Sequence, residues 1–286
     1  MSLTIKQALA RAAELKVVSD SWQLDTELLL AQALATTRTV LHTWPERVIE
    51  AEPLLRFESM LERRANGEPI AYILGRRDFW DFELIVNSHV LIPRPETELL
   101  VECALELVAN HAVVPEQIAD LGTGSGAIAI ALSRELPQCK VSAIDLSVDA
   151  LAVAQQNVLR LQLSNIIFHE GSWCEGLSAN SFDLILANPP YVAEGDAHLQ
   201  QGDLRFEPTS ALVAPDSGLG DIKSIVTGSR AALKQGAWLL LEHGYQQGAA
   251  VAEIFRSNGF SSIECRQDYA GLDRVTLAQW LHGVTL

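Results

Sequence analysis

The sequence has few cysteines, and they are not paired. Its four cysteines lie far apart and form no C-x-x-C spacing: Cys103, Cys139, Cys174 and Cys265. Zinc sites and disulfide frameworks need closely spaced or matched cysteines, so both are disfavoured. We therefore expect free, mostly buried thiols in a reducing cytoplasm, and no metal.

The chain also lacks a leader pattern, a membrane-spanning run and a surplus of basic residues. Residues 1–6 carry no signal-peptide pattern, and no apolar run approaches the ~20 residues that cross a bilayer. Lys and Arg number 21 against 36 Asp and Glu, and the net charge of −15 opposes tight binding to a phosphate backbone. We expect a cytoplasmic monomer that binds neither membrane nor nucleic acid directly.

A hydrophobic content of 48% over 286 residues is enough for a full α/β domain and a smaller one. Residues 1–75 predict a helical domain, in which Thr4 caps the first helix and a third helix runs from about Pro53 to Asn66 until Gly67 stops it. The second helix is expected to bury one apolar stripe: Leu24, Leu28, Ala31 and Leu34. The domain is expected to provide packing and a docking surface.

Residues 76–92 alternate in polarity and are rich in aromatics, which predicts a β-hairpin linking two domains. The larger domain then spans 93–286. Its first helix covers Leu99 to Asn110, and Pro95 or Thr97 could open it.

Strands and helices alternate from residue 117, which predicts a parallel sheet with right-handed crossovers. The strand Gln117–Leu121 leads into a glycine loop, and the strand 140–144 ends in Asp145. The loop consists of Gly122, Thr123, Gly124, Ser125 and Gly126. Glycines let the backbone approach a ligand, and a carboxylate at Asp145 can accept hydrogen bonds from both hydroxyls of a ribose.

A second corner follows the apolar strand 182–187. Asn188, Pro189, Pro190 and Tyr191 come next, and the two prolines stiffen the turn because each fixes its own φ. An amide oxygen, the Pro189 carbonyl and the Tyr191 ring suit a planar –NH2 group, since two acceptors take its hydrogens while the ring covers its face.

The glycine loop alone is also compatible with a nicotinamide dehydrogenase, because with Ala127 it fits the permissive dinucleotide-binding pattern G-x-G-x-x-G/A. The corner at Asn188 has no obvious use in hydride transfer, however. His243 is the nearest candidate for a proton relay, and a structural role suits it better.

Together, the glycine loop, Asp145 and the Asn-Pro-Pro-Tyr corner resemble an S-adenosylmethionine-dependent methyltransferase acting on planar amino or amide nitrogens. Three further stretches, 67–75, 91–98 and 241–248, narrow the resemblance to the peptide chain release factor N5-glutamine methyltransferases, over nearly the whole chain. The family modifies the glutamine of a Gly-Gly-Gln tripeptide in class 1 release factors. The resemblance implies a seven-stranded Rossmann-like methyltransferase sheet that ends in an antiparallel strand pair.

The resemblance also implies roles for individual residues. The loop Gly122–Gly126 would line the methyl donor, Asp145 would hold its ribose, and Trp173 would pack near its adenine. Family members often have Asp before that Trp, where this chain has Ser172. Asn188 would bridge donor and substrate amide.

The long segment from Val192 to Gly220 is expected to form part of the substrate mouth, with Glu207 and Pro208 near the target glutamine. Alternatives remain at this point: a DNA or RNA adenine-N6 methyltransferase, a ribosomal-protein glutamine methyltransferase, and a non-catalytic nucleotide-binding module. The acidic charge disfavours the nucleic-acid enzymes.

Overall fold

The computed structural model describes residues 3–111 and 115–281. The chain is divided into two structural units. The first unit combines the chain up to Arg76 with the segment Ala197–Phe206, and the second contains Arg77–Asp196 and the chain from Glu207 onward. The predicted boundaries at residues 75 and 92 stay predictions. In the structure, the hairpin from Arg77 onward groups with the second unit.

The first unit is built from short helices around one apolar core. Its α-helices are α1 (Ile5–Ala10), α2 (Trp22–Ala33), α3 (Arg38–Thr43), α4 (Ala51–Ala65) and α5 (Ile70–Leu74). Thr4 caps α1 as predicted: its hydroxyl accepts from the Gln7 N–H while the Gln7 side chain accepts from the Thr4 N–H. α4 ends at Ala65, and Gly67 follows with φ +92°, which confirms the predicted stop.

The face that α2 buries differs from the predicted stripe. Leu24 is 39% exposed, whereas Asp25 is buried. The apolar residues that α2 buries are Leu29, Leu30, Ala31 and Ala33. The physical reason is an ion pair, because Asp25 Oδ2 accepts from Arg64 Nε of α4 at 2.7 Å, and that contact turns Asp25 inward.

Arg64 also joins the segment Ala197–Phe206 to the first unit. Its side chain is 5% exposed, and its Nη1 donates to Asp203 Oδ1 at 3.0 Å and to the Glu68 carbonyl at 3.0 Å. Because a buried guanidinium needs its donors satisfied, these bonds fix the segment within this unit.

The second unit alternates strands and helices, and of its elements only Arg76, the first residue of the first strand, belongs to the first unit. Its elements are β1 (Arg76–Phe79), β2 (Phe82–Ile85), α6 (Glu98–His111), β3 (Gln117–Leu121), α7 (Ala127–Glu135), β4 (Lys140–Asp145), α8 (Val148–Arg160), β5 (Ile166–Glu170), β6 (Phe182–Ala187), β7 (Val192–Ala193), β8 (Val213–Ala214), α9 (Pro215–Gly218), α10 (Gly220–Ala232), β9 (Leu233–Glu242), α11 (Gly248–Ser257), β10 (Phe260–Gln267) and β11 (Asp273–Trp280). Short 3₁₀ turns add Pro95–Thr97 before α6 and Thr209–Ala211 before β8.

Seven of these strands form the main sheet, in the order β10-β11-β9-β6-β3-β4-β5. β9, β6, β3, β4 and β5 are parallel, whereas β11 runs antiparallel to both β9 and β10. This arrangement confirms the predicted sheet and its final antiparallel pair. β1 and β2 pair as the predicted hairpin.

The register brings the carboxyl ends of the central strands level with each other. Leu121 at the end of β3 aligns with Ile144 of β4 on one side and Ala187 of β6 on the other. Ala187 in turn aligns with Leu241 of β9. The residues that follow these positions therefore lie side by side at one edge.

The central strands are buried on both faces, which explains why most of their residues are apolar. Ile185 of β6 and Leu239 of β9 are fully buried in one cluster with Ile225 of α10 and Phe255 of α11. Among the described residues, no helix combines the length and the apolar character that crossing a bilayer requires.

Candidate functional site

One cavity lies where the central strands end. Gly122 follows β3, Asp145 ends β4, Asn188 follows β6, and all three line a cavity of about 560 Å³. The chain winds outward from β3 to β4 and β5 and then returns to β6 on the other side of β3. Open parallel sheets bind ligands at such a reversal of strand order, outside the carboxyl ends of the strands.

The cavity brings together most of the residues predicted from the sequence. The predicted residues that line it are Gly122, Thr123, Gly124, Ser125, Asp145, Trp173, Asn188 and Pro190. Within the described chain, Gly126, Pro189, Tyr191 and Glu207 are not part of the lining. The individual roles of both groups stay predictions.

The glycine loop is shaped by hydrogen bonds from beneath. The N–H groups of Gly122 and Thr123 both donate to the Ile144 carbonyl, at 2.8 and 2.9 Å. A Cβ on Gly122 would lie 3.1 Å from the Trp173 ring, and φ is +72° there. Glycine is thus needed twice at this position, for its backbone conformation and for the close approach of the ring.

Asp120 supports the loop from inside the sheet. Its Oδ2 accepts from Thr123 Oγ1 at 2.6 Å and from the Ala129 N–H at 3.1 Å, so one carboxylate ties the loop to the start of α7. Its Oδ1 is buried with no hydrogen-bond partner among the described residues. Burial raises the pKa of Asp120 to about 7, although both hydrogen bonds oppose that shift.

Asp145 is held in place by two backbone donors. Its Oδ2 accepts from the Gly124 N–H at 2.9 Å, and its Oδ1 accepts from the Ser147 N–H at 2.9 Å. A carboxylate oxygen can accept more than one hydrogen bond, so each oxygen of Asp145, which lines the cavity, keeps capacity for a further donor.

Trp173 lines the cavity next to Gly122 of the loop. Its φ of +50° is unusual for a bulky residue and indicates a constrained backbone. Trp173 Nε1 donates to Asp221 Oδ1 at 3.2 Å, and both side chains line the cavity beside Ser172. Burial raises the pKa of Asp221, while the bond from Trp173 lowers it.

Asn188 is tied to a buried carboxyl group through a hydroxyl. Asn188 Nδ2 donates to Thr97 Oγ1 at 3.0 Å, and Thr97 Oγ1 donates to Glu242 Oε2 at 2.7 Å. Glu242, the last residue of β9, is 1% exposed. Burial raises the pKa of Glu242 to about 7, against the hydrogen bond from Thr97 and the positive charge of Arg274.

Tyr191 reaches the same carboxyl group from the other end of the corner. Its hydroxyl donates to Glu242 Oε1 at 3.5 Å, and its carbonyl accepts from Gln247 Nε2 at 3.1 Å. Burial, together with the nearby Glu242, raises the pKa of Tyr191 well above its usual range. The phenol is therefore neutral at physiological pH, which suits a stacking surface and not a base.

Glu207 is engaged within the second unit. Its side chain is fully buried, with one oxygen accepting from the Ile92 N–H at 2.9 Å and the other from the Arg94 guanidinium. Its predicted place beside the target glutamine stays a prediction. The neighbouring Pro208 and Ser210 line the cavity.

Comparison with known proteins decides the family. Residues 6–75 match the model of the PrmC N-terminal domain, and residues 95–209 match the methyltransferase small domain. The release factor glutamine methyltransferase of Vibrio cholerae is 49% identical over 283 residues, which cover 98% of each chain. The enzyme of that name from Escherichia coli K12 is 45% identical, over 92% of this chain and 94% of its own. The chain belongs to the release factor glutamine methyltransferase family.

Solved structures agree with this family at the level of fold. A methyltransferase from Pyrococcus furiosus, 16% identical, superposes with a TM-score of 0.53 over 78% of this chain and 98% of its own. The methyltransferase fold and the family predicted from the sequence motifs are thus confirmed.

Four residues that take part in the site or support it were not assigned to it from the sequence. These are Thr97, Asp120, Asp221 and Glu242. Asp120 lies two positions before the first loop glycine, and Thr97 and Glu242 lie within stretches that carried the family resemblance. For these three residues the available signal was a polar side chain next to, or within, a motif that had already been recognised.

Proposed function

We propose that this chain transfers the methyl group of S-adenosylmethionine to the side-chain amide N5 of the glutamine in the Gly-Gly-Gln motif of class 1 peptide chain release factors. Family membership supports this acceptor. The structural observation that carries the proposal is that Asn188, the residue suited to bind an amide, lines the same cavity as the glycine loop and Asp145.

The residues present fit the methyl donor. The cavity volume of about 560 Å³ lies within the roughly 300–1,000 Å³ typical of cofactor sites. Asp145 would accept from the ribose hydroxyls, and Trp173 would lie against the adenine. Because Gly122 has no side chain, the Trp173 ring can lie close to the loop. The donor, when bound, supplies an electrophilic methyl group on a positively charged sulfur.

The chain's own residues then have to position and activate a poor nucleophile. An amide nitrogen is weakly nucleophilic because its lone pair is delocalised into the carbonyl group. Asn188 Oδ1 and the Pro189 carbonyl would accept its two hydrogens and fix the nitrogen in position, while the neutral ring of Tyr191 stacks on the amide plane. Positioning of this kind can contribute several kcal/mol, up to roughly 7–11 in the best intramolecular cases.

The same proposal includes the docking surface for the protein partner, the oligomeric state of the chain and its location in the cell. We infer that the first unit docks the release factor, and that the chain works as a cytoplasmic monomer without contacting nucleic acid directly. The net charge of −15 supports the last point, because phosphate backbones bind basic surfaces. Light scattering of the chain alone and mixed with release factor measures the mass of each species, and a dimer of the free chain would contradict the monomer.

The direct test is incubation with methyl-labelled S-adenosylmethionine and one of three acceptors: release factor, the same factor with its Gly-Gly-Gln glutamine replaced by alanine, or duplex DNA. Mass spectrometry then locates the label. We expect one methyl group on the glutamine of the unmodified factor and none on the other two acceptors. Label on DNA adenine would instead favour the adenine-N6 alternative.

Asn188→Ala tests the role of the corner separately from donor binding. We expect the methyl-transfer rate to fall about 100-fold or more, as when one positioned polar group is removed from an active site. Calorimetry should show S-adenosylmethionine binding within several-fold of wild type. Asn110→Ala, on the exposed surface of α6, is the control and should leave both quantities unchanged. Near-normal turnover in Asn188→Ala would refute the role given to Asn188.

A further inference from the structure

Three side chains from distant parts of the second unit form a chain of hydrogen bonds that ends at the proposed amide-binding residue. Thr97 comes from the 3₁₀ turn before α6, Glu242 from the end of β9, and Asn188 from the residue after β6. The two links measure 2.7 Å from Thr97 Oγ1 to Glu242 Oε2 and 3.0 Å from Asn188 Nδ2 to Thr97 Oγ1. Thr97 is 4% exposed and Glu242 is 1% exposed.

When Glu242 is ionised, the number of hydrogens available fixes the direction of both links. An ionised carboxylate can only accept, so the single hydroxyl hydrogen of Thr97 goes to Glu242. The Thr97 oxygen is then left with lone pairs only, and it can bond to Asn188 only through a group that carries hydrogen. The Asn188 amide therefore faces Thr97 with its Nδ2, and its Oδ1 lies on the opposite side of the same planar group.

We propose that Glu242 and Thr97 are positioning residues that lock the Asn188 carboxamide with Oδ1 directed at the substrate amide. The inference rests on the proposed function, in which Asn188 Oδ1 accepts a hydrogen of the glutamine –NH2. A flipped Asn188 would present Nδ2 to that –NH2, and two groups that both donate cannot bond to each other. By preventing this flip of the Asn188 carboxamide, Thr97 keeps Oδ1 as the atom that accepts the substrate hydrogen.

The same carboxyl group also holds the other end of the corner. Tyr191 donates to Glu242 Oε1 at 3.5 Å, while Glu242 Oε2 reaches Asn188 only through Thr97. Burial opposes the ionised form of Glu242 most strongly and Glu96 adds to that effect, whereas the hydrogen bond from Thr97 and the positive charge of Arg274 favour ionisation. The buried carboxyl group of Glu242 therefore sets both which end of the Asn188 amide faces the substrate and the position of the Tyr191 ring.

Thr97→Val is the test, with Thr97→Ser as the matched control. Valine keeps the shape of threonine and loses the hydroxyl, whereas serine keeps the hydroxyl and loses the methyl group. We expect kcat for release factor methylation to fall 10- to 100-fold in Thr97→Val, and to return to within about threefold of wild type in Thr97→Ser. The KM for release factor and the Kd for S-adenosylmethionine should stay within about threefold in both. Circular dichroism identifies any variant that fails to fold.

A double variant decides whether Thr97 acts through Asn188. In an Asn188→Ala background there is no carboxamide to orient, so adding Thr97→Val should lower the residual rate no further. An equal loss in both backgrounds would overturn the inference, as would full activity of Thr97→Val on its own. Should Thr97→Val not fold, Glu242→Gln carries the same comparison, because a glutamine amide can either donate to or accept from Thr97. Wild-type chain that leaves release factor unmethylated would refute the proposed function instead, a result visible before any variant is made.

Discussion

Replacing Glu242 by glutamine is expected to make the protein more stable at alkaline pH while lowering its activity. Glu242 is buried at the end of β9, and burial raises its pKa from an ordinary 4.5 to about 7. Because the folded state binds the proton more tightly than the unfolded state, the contribution of this group is fully present below about pH 4.5. It is lost as the pH rises through about 7.

The size of the effect follows from the shift. From 4.5 to about 7 is roughly 2.5 pKa units, and at about 1.36 kcal/mol per unit the loss between about pH 4 and about pH 8 is close to 3 kcal/mol. Glutamine does not ionise, so this part of the pH dependence disappears in the variant. Asp120, whose pKa burial raises in the same way, is present in both proteins and cancels in the difference.

The assay is urea unfolding of wild type and Glu242→Gln at closely spaced pH values across this window. The free energy of unfolding of the variant minus that of wild type should increase by about 3 kcal/mol from the acidic to the alkaline end. Glu253→Gln replaces a carboxylate whose side chain is 64% exposed and is the control, with a flat difference expected. A difference for Glu242→Gln that does not change with pH would refute the reasoning. Carboxyl-carbon NMR would report the pKa of Glu242 independently.

Two further predictions concern the glycine loop and the buried arginine. Gly122→Ala and Gly75→Ala both place a side chain at a φ near +70°, but only the first meets an atom within 4 Å, the ring of Trp173. Calorimetry should therefore show S-adenosylmethionine binding weakened about tenfold or more in Gly122→Ala and nearly unchanged in Gly75→Ala. Arg64→Met should destabilise the first unit by about 3–5 kcal/mol in urea unfolding, since it leaves a buried carboxylate unpaired. Arg56→Met breaks a pair whose side chains are 53% and 83% exposed and should cost under about 1 kcal/mol, so equal losses would contradict the burial argument.

Local sequence patterns were sufficient to predict the framework of the site. Strand β6 is apolar apart from Asp183 and is followed by Asn188 and two prolines, and β3 runs into a loop with three glycines, so both strand ends are marked in the sequence itself. Alternating strands and helices then imply a parallel sheet in which such ends share an edge. Asn188, Asp145 and the loop were therefore expected to lie together, and Asn188, Asp145 and residues 122–125 of the loop line one cavity.

The supporting contacts could not be predicted, because they join residues that are far apart in sequence. Asn188 and Thr97 are 91 positions apart, and Thr97 and Glu242 are 145 apart. Their meeting depends on the register of β6 against β9 and on where the turn before α6 packs. The burial of Asp25 was missed for the same reason, since its partner Arg64 lies 39 positions away.

An ionised Glu242 lowers the stability of the fold, and its effect on the orientation of the Asn188 carboxamide explains why the site keeps it. A neutral glutamine at this position would avoid the burial of a charge, yet its amide could either donate to Thr97 or accept from it. If it donated, Thr97 would be free to donate to Asn188, and the carboxamide would flip. Only a group that never donates leaves a single arrangement of hydrogens, and an ionised carboxylate is the side chain with that property. The site therefore tolerates a charge that weakens the fold as the pH rises toward about 7, because that charge makes Asn188 an acceptor in each molecule whose Glu242 is ionised.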